Sequence, residues 1–151
     1  MRGTIVYLDS SSIIKRYIKE PGSARIRDIY LKAYSGELAL AFSGWNLGEV
    51  LGALDKARAQ NRLDREKYIT SKRRLLLDTK RLVKLGMALL IPVKTGLLVE
   101  GWKLIEKYHI YQADALQIVS AKAINASEFL TGDKGLDEIA RAENLNSTYV
   151  A

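Results

Sequence analysis

The chain has 151 residues, 48% of them hydrophobic, with a formal charge of +7, no cysteine and a single histidine, His109. This size points to one domain, 1–151, able to bury a proper core. The missing cysteines exclude disulfides, thiolate metal sites and cysteine nucleophiles, and one histidine excludes a histidine-rich zinc site.

The first element is a buried strand at 4–8, followed by a helix over 11–18. "KEPGS" breaks that helix, and Pro21 suits the first turn of the next, 22–34. "GELALAF" gives a second strand at 38–42, and Ser43 is placed to cap a helix over 44–60. Asp64 caps a long basic helix reaching residue 85, with Leu63 set to pack on Tyr68. "MALLIPV" is a third strand, and Thr95 caps a helix reaching residue 108. A helix over 112–124, a short strand in "EFLTG", a helix over 133–142 and a last strand in "STYV" complete the chain. Strands alternating with helices predict a mainly parallel sheet in an α/β sandwich, with sites beyond the carboxyl ends of the strands. No apolar run spans a bilayer, the longest being Leu85–Val93 with Pro92 inside it. Asp9 interrupts the apolar segment a signal peptide needs, so a cytoplasmic location is expected.

Four carboxylates stand alone in apolar surroundings. Asp9 is the only charge in residues 3–14, Glu49 in 38–54 and Asp114 in 110–121, and Asp133 follows the uncharged "FLTG". Asp9, Asp114 and Asp133 lie near helix starts, where a carboxylate accepts backbone N–H bonds. Glu49 does not, being well inside its helix. It faces away from the stripe of Leu47, Val50, Leu51 and Leu54, among Trp45, Gly52 and Ala53, which predicts a covered cleft. The helix around Asp114 is apolar nearly all round and is expected to be buried. Buried carboxylates without basic neighbours are protonated or share a cation, and hard Mg²⁺ or Mn²⁺ suits oxygen donors.

The positive charge is concentrated. Between Lys56 and Lys84 there are eleven Lys or Arg and three Asp or Glu, a basic helical hairpin over about 56–86. It suits either nucleic-acid phosphate or a solvated surface.

"YLDSSSIIKRYIKEPGS", "FSGWNLGEVLGAL", "YQADALQIVSAKA" and "FLTGDKGL", in this order, resemble the PIN-domain ribonucleases, and within them the VapC-like toxins of type II toxin–antitoxin pairs. The resemblance implies a three-layer α/β/α fold with about five strands. It also implies a site of Asp9, Glu49, Asp114 and Asp133 holding Mg²⁺ or Mn²⁺, and metal-dependent cleavage of single-stranded or looped RNA. A homodimer and a small antitoxin partner are implied as well. Ser10 and Ser11 are candidates to steady Asp9 or contact phosphate, or simply to cap the first helix. Thr131 is a candidate support for Asp133, and Asp137 ranks below it. Arg58, Arg62, Arg65, Lys72 and Arg73 are candidates for the RNA backbone or a partner; Trp102, Tyr108 and Tyr111 suit base stacking, although aromatics on apolar helices more often belong to the core. Rival phosphotransferases fit poorly, because a haloacid-dehalogenase site needs Asp-x-Asp where this chain has Asp9-Ser10-Ser11. An RNA-processing nuclease and a silent RNA- or protein-binding module of the same fold remain alternatives.

Overall fold

The computed structural model describes residues 3–151. Five strands, β1 (Thr4–Leu8), β2 (Leu38–Ser43), β3 (Ala88–Ile91), β4 (Glu128–Thr131) and β5 (Ser147–Tyr149), form one all-parallel sheet in the order β3-β2-β1-β4-β5. The crossovers are helical: α1 (Ser10–Ile13) with a 3-10 turn (Ile14–Arg16), α2 (Ser23–Tyr34), α3 (Gly44–Ala59), α4 (Arg65–Lys84), α5 (Thr95–Tyr108), α6 (Gln112–Ala123) and α7 (Lys134–Ala142). This is the three-layer α/β/α architecture expected.

The period of two along each strand divides the core. Val6, Leu8, Leu40, Phe42 and Leu130 pack with Ile13, Ile26, Tyr30, Leu54, Leu75 and Leu82 in one layer. Tyr7, Ala41 and Phe129 point to the other face, toward Leu104, Leu116, Ile118 and Ala140. Covering both faces is why β1 and β2 read as near-continuous apolar runs. Each fully buried Leu, Ile or Phe contributes roughly 1.5–3 kcal/mol by leaving water. Tyr7 also stacks on Phe129, ring centroids 5.4 Å apart and 4° from parallel.

Several sequence expectations change in detail. The first helix has one α turn and then tightens to 3-10, ending at Arg16 rather than at residue 18. Pro21 sits in the turn before α2, not in its first turn, because Gly22 takes φ 92° and is the N-cap. Its missing Cβ leaves room for the Val150 carbonyl, 3.0 Å from where a Cβ would stand. Lys94, not Thr95, is the N-cap of α5. Ser43 and Asp64 cap α3 and α4 as expected, and Asn46 completes a capping box with Ser43.

Helix α4 is fastened by a buried acid. Asp78 accepts from the hydroxyls of Tyr17 at 2.8 Å and Tyr34 at 2.5 Å and pairs with Arg16 at 3.5 Å. It ties the long basic helix to the 3-10 turn and to α2.

Candidate active site

In a parallel sheet every strand delivers its carboxyl end to the same side. Asp9 immediately follows β1, α3 starts directly from β2, and Asp133 lies two residues past β4. Asp9 and Asp133 do cap helices, accepting from Ser12 N at 2.9 Å and Leu136 N at 3.1 Å. Asp9 does more than cap. Only 4% exposed, its carboxylate accepts from Ser11 Oγ at 2.7 and 2.9 Å and from Thr131 Oγ1 at 2.6 Å. Thr131 Oγ1 in turn accepts from Asp133 N at 3.0 Å, so one buried hydroxyl joins the two acidic segments. Thr131 thus supports Asp9 directly and reaches Asp133 through its backbone. Ser11 also accepts from Gly132 N at 2.8 Å.

Glu49 is held differently. Ser10 Oγ donates to Glu49 Oε1 at 2.7 Å, and Asn46 Nδ2 donates to Ser10 Oγ at 2.8 Å. Asn46 also reaches Gln117 Oε1 at 2.8 Å, which accepts from Tyr7 Oη at 2.7 Å. This relay from the sheet interior to Glu49 is the part that sequence reading missed. Its only signal was three amide and hydroxyl groups, Asn46, Gln117 and Tyr7, inside apolar runs, where a polar group needs a partner.

The expected covered cleft around Glu49 is not found. Trp45, Gly48, Glu49, Gly52 and Ala53 are all exposed, so this uncharged face of α3 meets solvent. Periodicity separates the two faces of a helix, but it does not tell what covers the second. Asp114 is half-buried in the first turn of α6, whose residues from Ala115 to Ala121 are buried as expected, and Asp133 is exposed. Asp137 is committed elsewhere, to Arg141 at 3.1 Å and Ser147 at 2.5 Å.

Burial acts on Asp9 and Asp114, and Asp114 also feels the charges of Asp133 and Glu49. Burial pushes the Asp9 carboxyl up to about 6, against the pull of the Thr131, Ser11 and Ser12 hydrogen bonds. Asp114 is also raised, first by burial and then by the negative charges of Asp133 and Glu49. The Tyr7 phenol is raised chiefly by burial, with Asp9 and Glu49 adding to it. No lysine or arginine pairs with any of the four acids among the described residues. Lys15, whose side chain lies against Gly132, is turned to Glu20 and the Pro21 carbonyl. The donor set therefore fits a hard divalent cation, being all oxygen, negative and without counter-charge. The side chains as placed do not close on one: among the described residues no three His, Cys, Asp or Glu groups are arranged to hold an ion. Hydroxyls occupy the carboxylates instead, Ser11 and Thr131 on Asp9 and Ser10 on Glu49.

A PIN domain model matches residues 6–142. The chain belongs to the PIN domain family. No curated protein matches the sequence. Solved structures do resemble this PIN domain in fold. The Mycobacterium tuberculosis toxin VapC20, described as sarcin–ricin loop cleaving, superposes with a TM-score of 0.65 at 12% identity, over 89% of this chain and 94% of that one. FitAcB from Neisseria gonorrhoeae gives 0.62 at 16%, over 94% and 95%. PAE2754 from Pyrobaculum aerophilum gives 0.60 at 17%, over 97% and 92%. The family and fold expected from the four motifs are thereby borne out. Among the described residues, no helix of this PIN domain is long and apolar enough to cross a membrane.

Because Glu49 is aimed by Ser10 and Asn46, removing the amide should matter more than its distance from solvent suggests. Asn46→Ala is expected to lower any metal-dependent cleavage by about 10–100-fold, the usual cost of losing a group that orients a ligand. Asn46→Asp, which keeps the capping acceptor but loses the donor to Ser10, should lose nearly as much activity with a smaller change in melting temperature. Equal and full activity in both would remove the relay from the site.

Proposed function

We propose that this PIN domain is a divalent-metal-dependent endoribonuclease, and the toxin of a toxin–antitoxin pair. What supports the proposal is that Asp9, Glu49 and Asp133 follow the carboxyl ends of β1, β2 and β4, that Asp114 feels the charges of Asp133 and Glu49, and that no basic side chain pairs with any of the four among the described residues. Asp9, Glu49, Asp114 and Asp133 would hold Mg²⁺ or Mn²⁺. An ion bound there supplies an acidified water and positive charge for the oxygens of a phosphodiester. The chain's own contribution is positioning. Ser11 and Thr131 fix the Asp9 carboxylate, Ser10 fixes Glu49, and the buried floor of Tyr7 and Gln117 keeps that arrangement rigid.

RNA as substrate is supported by the resemblance, by the basic hairpin and by a fold relative described as cleaving the sarcin–ricin loop. With a single histidine, the metal-free route through a cyclic phosphate lacks its acid–base pair. The products expected are 5′-phosphate and 3′-hydroxyl ends. A small antitoxin and a homodimer follow from the resemblance and complete the reading. The open arrangement of the acids favours one alternative, a silent binding module of the same fold.

Incubating the purified protein with a mixed RNA pool separates these. Shortened fragments in the presence of Mg²⁺ or Mn²⁺ and intact RNA in chelator are expected. RNA left whole in every tube would leave only the binding module.

A further inference from the structure

One surface feature joins residues that are far apart in sequence. Between the segment leading into α2 and the first half of α4 runs a groove with two lobes of about 640 and 560 Å³. Both lobes share Tyr17, Ile18, Lys19 and Arg74 and are therefore continuous. Lys19 and Arg27 come from the α2 side, and Arg62, Lys67 and Arg74 from the α4 side, against one acid, Glu66. None of these five cations pairs with a carboxylate among the described residues. Arg74 instead lies over the Tyr17 ring, 5.7 Å from its centroid. The groove also has a fixed relation to the carboxylates. Lys15 lines its first lobe and lies against Gly132, next to Asp133.

We propose that this groove holds the phosphate backbone of the RNA strand leading away from the four carboxylates. The inference rests on the nuclease reading above and adds to it a path for the substrate. Five like charges along one channel repel each other unless a polyanion runs through it, and phosphates supply that charge at regular spacing. Of the five basic candidates named from sequence, only Arg62 lines the groove. Arg58 is stacked over Tyr68 at 5.2 Å, while Arg65, Lys72 and Arg73 are exposed outside it. Lys19 and Arg27, outside the basic hairpin, take their place.

The test is equilibrium binding of a fluorescein-labelled oligouridine of about 12 nucleotides to the full chain in EDTA, across a KCl series (a length in the range one such groove covers). Lys19→Gln, Arg27→Gln and Arg74→Gln together remove three phosphate contacts. Binding should weaken by about 10²-fold at 0.1 M salt, and the slope of log affinity against log salt should become shallower by about 2. A control with the same charge loss, Lys103→Gln, Lys107→Gln and Lys122→Gln on α5 and α6, should stay within about threefold of the wild type once nonspecific charge effects are allowed for. Equal losses in the two variants, or none, would overturn the path. So would a polyglutamate peptide that loses affinity in the groove variant while the oligonucleotide does not, which would assign the groove to an acidic protein segment. Manganese-dependent hydrolysis of bis(p-nitrophenyl) phosphate, too small to span the groove, should be unchanged in the groove variant. A wild type that binds the oligonucleotide through the groove but leaves the RNA pool whole in Mg²⁺ and Mn²⁺ would overturn the nuclease reading and uphold the path.

Discussion

Asp9→Asn is expected to reduce RNA cleavage by at least about 10²–10³-fold, the size of loss when one charge-bearing group is taken from an active site. The same change should make the metal-free protein more stable at neutral pH. The physical reason is the placement of Asp9, buried at the end of the central strand with its carboxyl raised to about 6 from an ordinary 3.8. Below pH 3.8 the group is neutral whether the chain is folded or not, and it contributes no penalty. Between 3.8 and 6 the unfolded chain loses the proton while the folded one keeps it, so stability falls as pH rises. Above 6 the folded protein carries the full cost of a buried anion, roughly 3 kcal/mol for about two pH units. Asparagine does not titrate. In urea melts with EDTA, the variant should therefore gain on the wild type by roughly 2.5 kcal/mol between pH 4 and pH 8. Mg²⁺ should then raise the melting temperature of the wild type and leave the variant unmoved. A stability gap that does not change with pH would mean that Asp9 is not buried as an anion.

The second large effect belongs to Asp78. Alanine there strands two tyrosine hydroxyls and the Arg16 guanidinium in a poorly solvated pocket, since both Arg16 and Asp78 side chains are about nine-tenths covered. Losing one partner of a buried ion pair costs about 3–5 kcal/mol. For a domain of this size that is a melting temperature lower by roughly 6–20 °C. Tyr34→Phe, which removes one hydroxyl from the charged group, should cost about 1.5–3 kcal/mol. Because Asp78 fastens α4, its loss should also weaken oligonucleotide binding while sparing hydrolysis of a small phosphodiester. A scan of Asp78→Ala within about 0.5 kcal/mol of the wild type, the spread of ordinary surface changes, would contradict the network.

How far the sequence revealed this molecule depends on which physical signal was read. Strand and helix order was legible because apolar runs, Ser43, Asp64 and Asp133 mark starts and stops by local chemistry. The family was legible because four isolated acids recur in a recognisable order. What lay hidden was set by distance along the chain. Lys19 and Arg27 meet Arg74 only after folding, and nothing near Lys19 in sequence marks it as part of a groove. Asn46 and Gln117 find each other across 71 residues. Glu49 was placed in a cleft because its helix face lacks charge, yet an uncharged face can also be open, as Trp45 at 51% exposure shows.

The position of β1 has a further consequence for how the protein is made. It is the central strand, paired on one side with β2, about 34 residues on by register, and on the other with β4, about 122 residues on. Thr131, which holds the Asp9 carboxylate, is 122 residues away along the chain. During translation the Asp9 carboxylate is made 122 residues before its support, Thr131. A nascent chain therefore cannot fix the Asp9 carboxylate until β4 has been made, more than a hundred residues later.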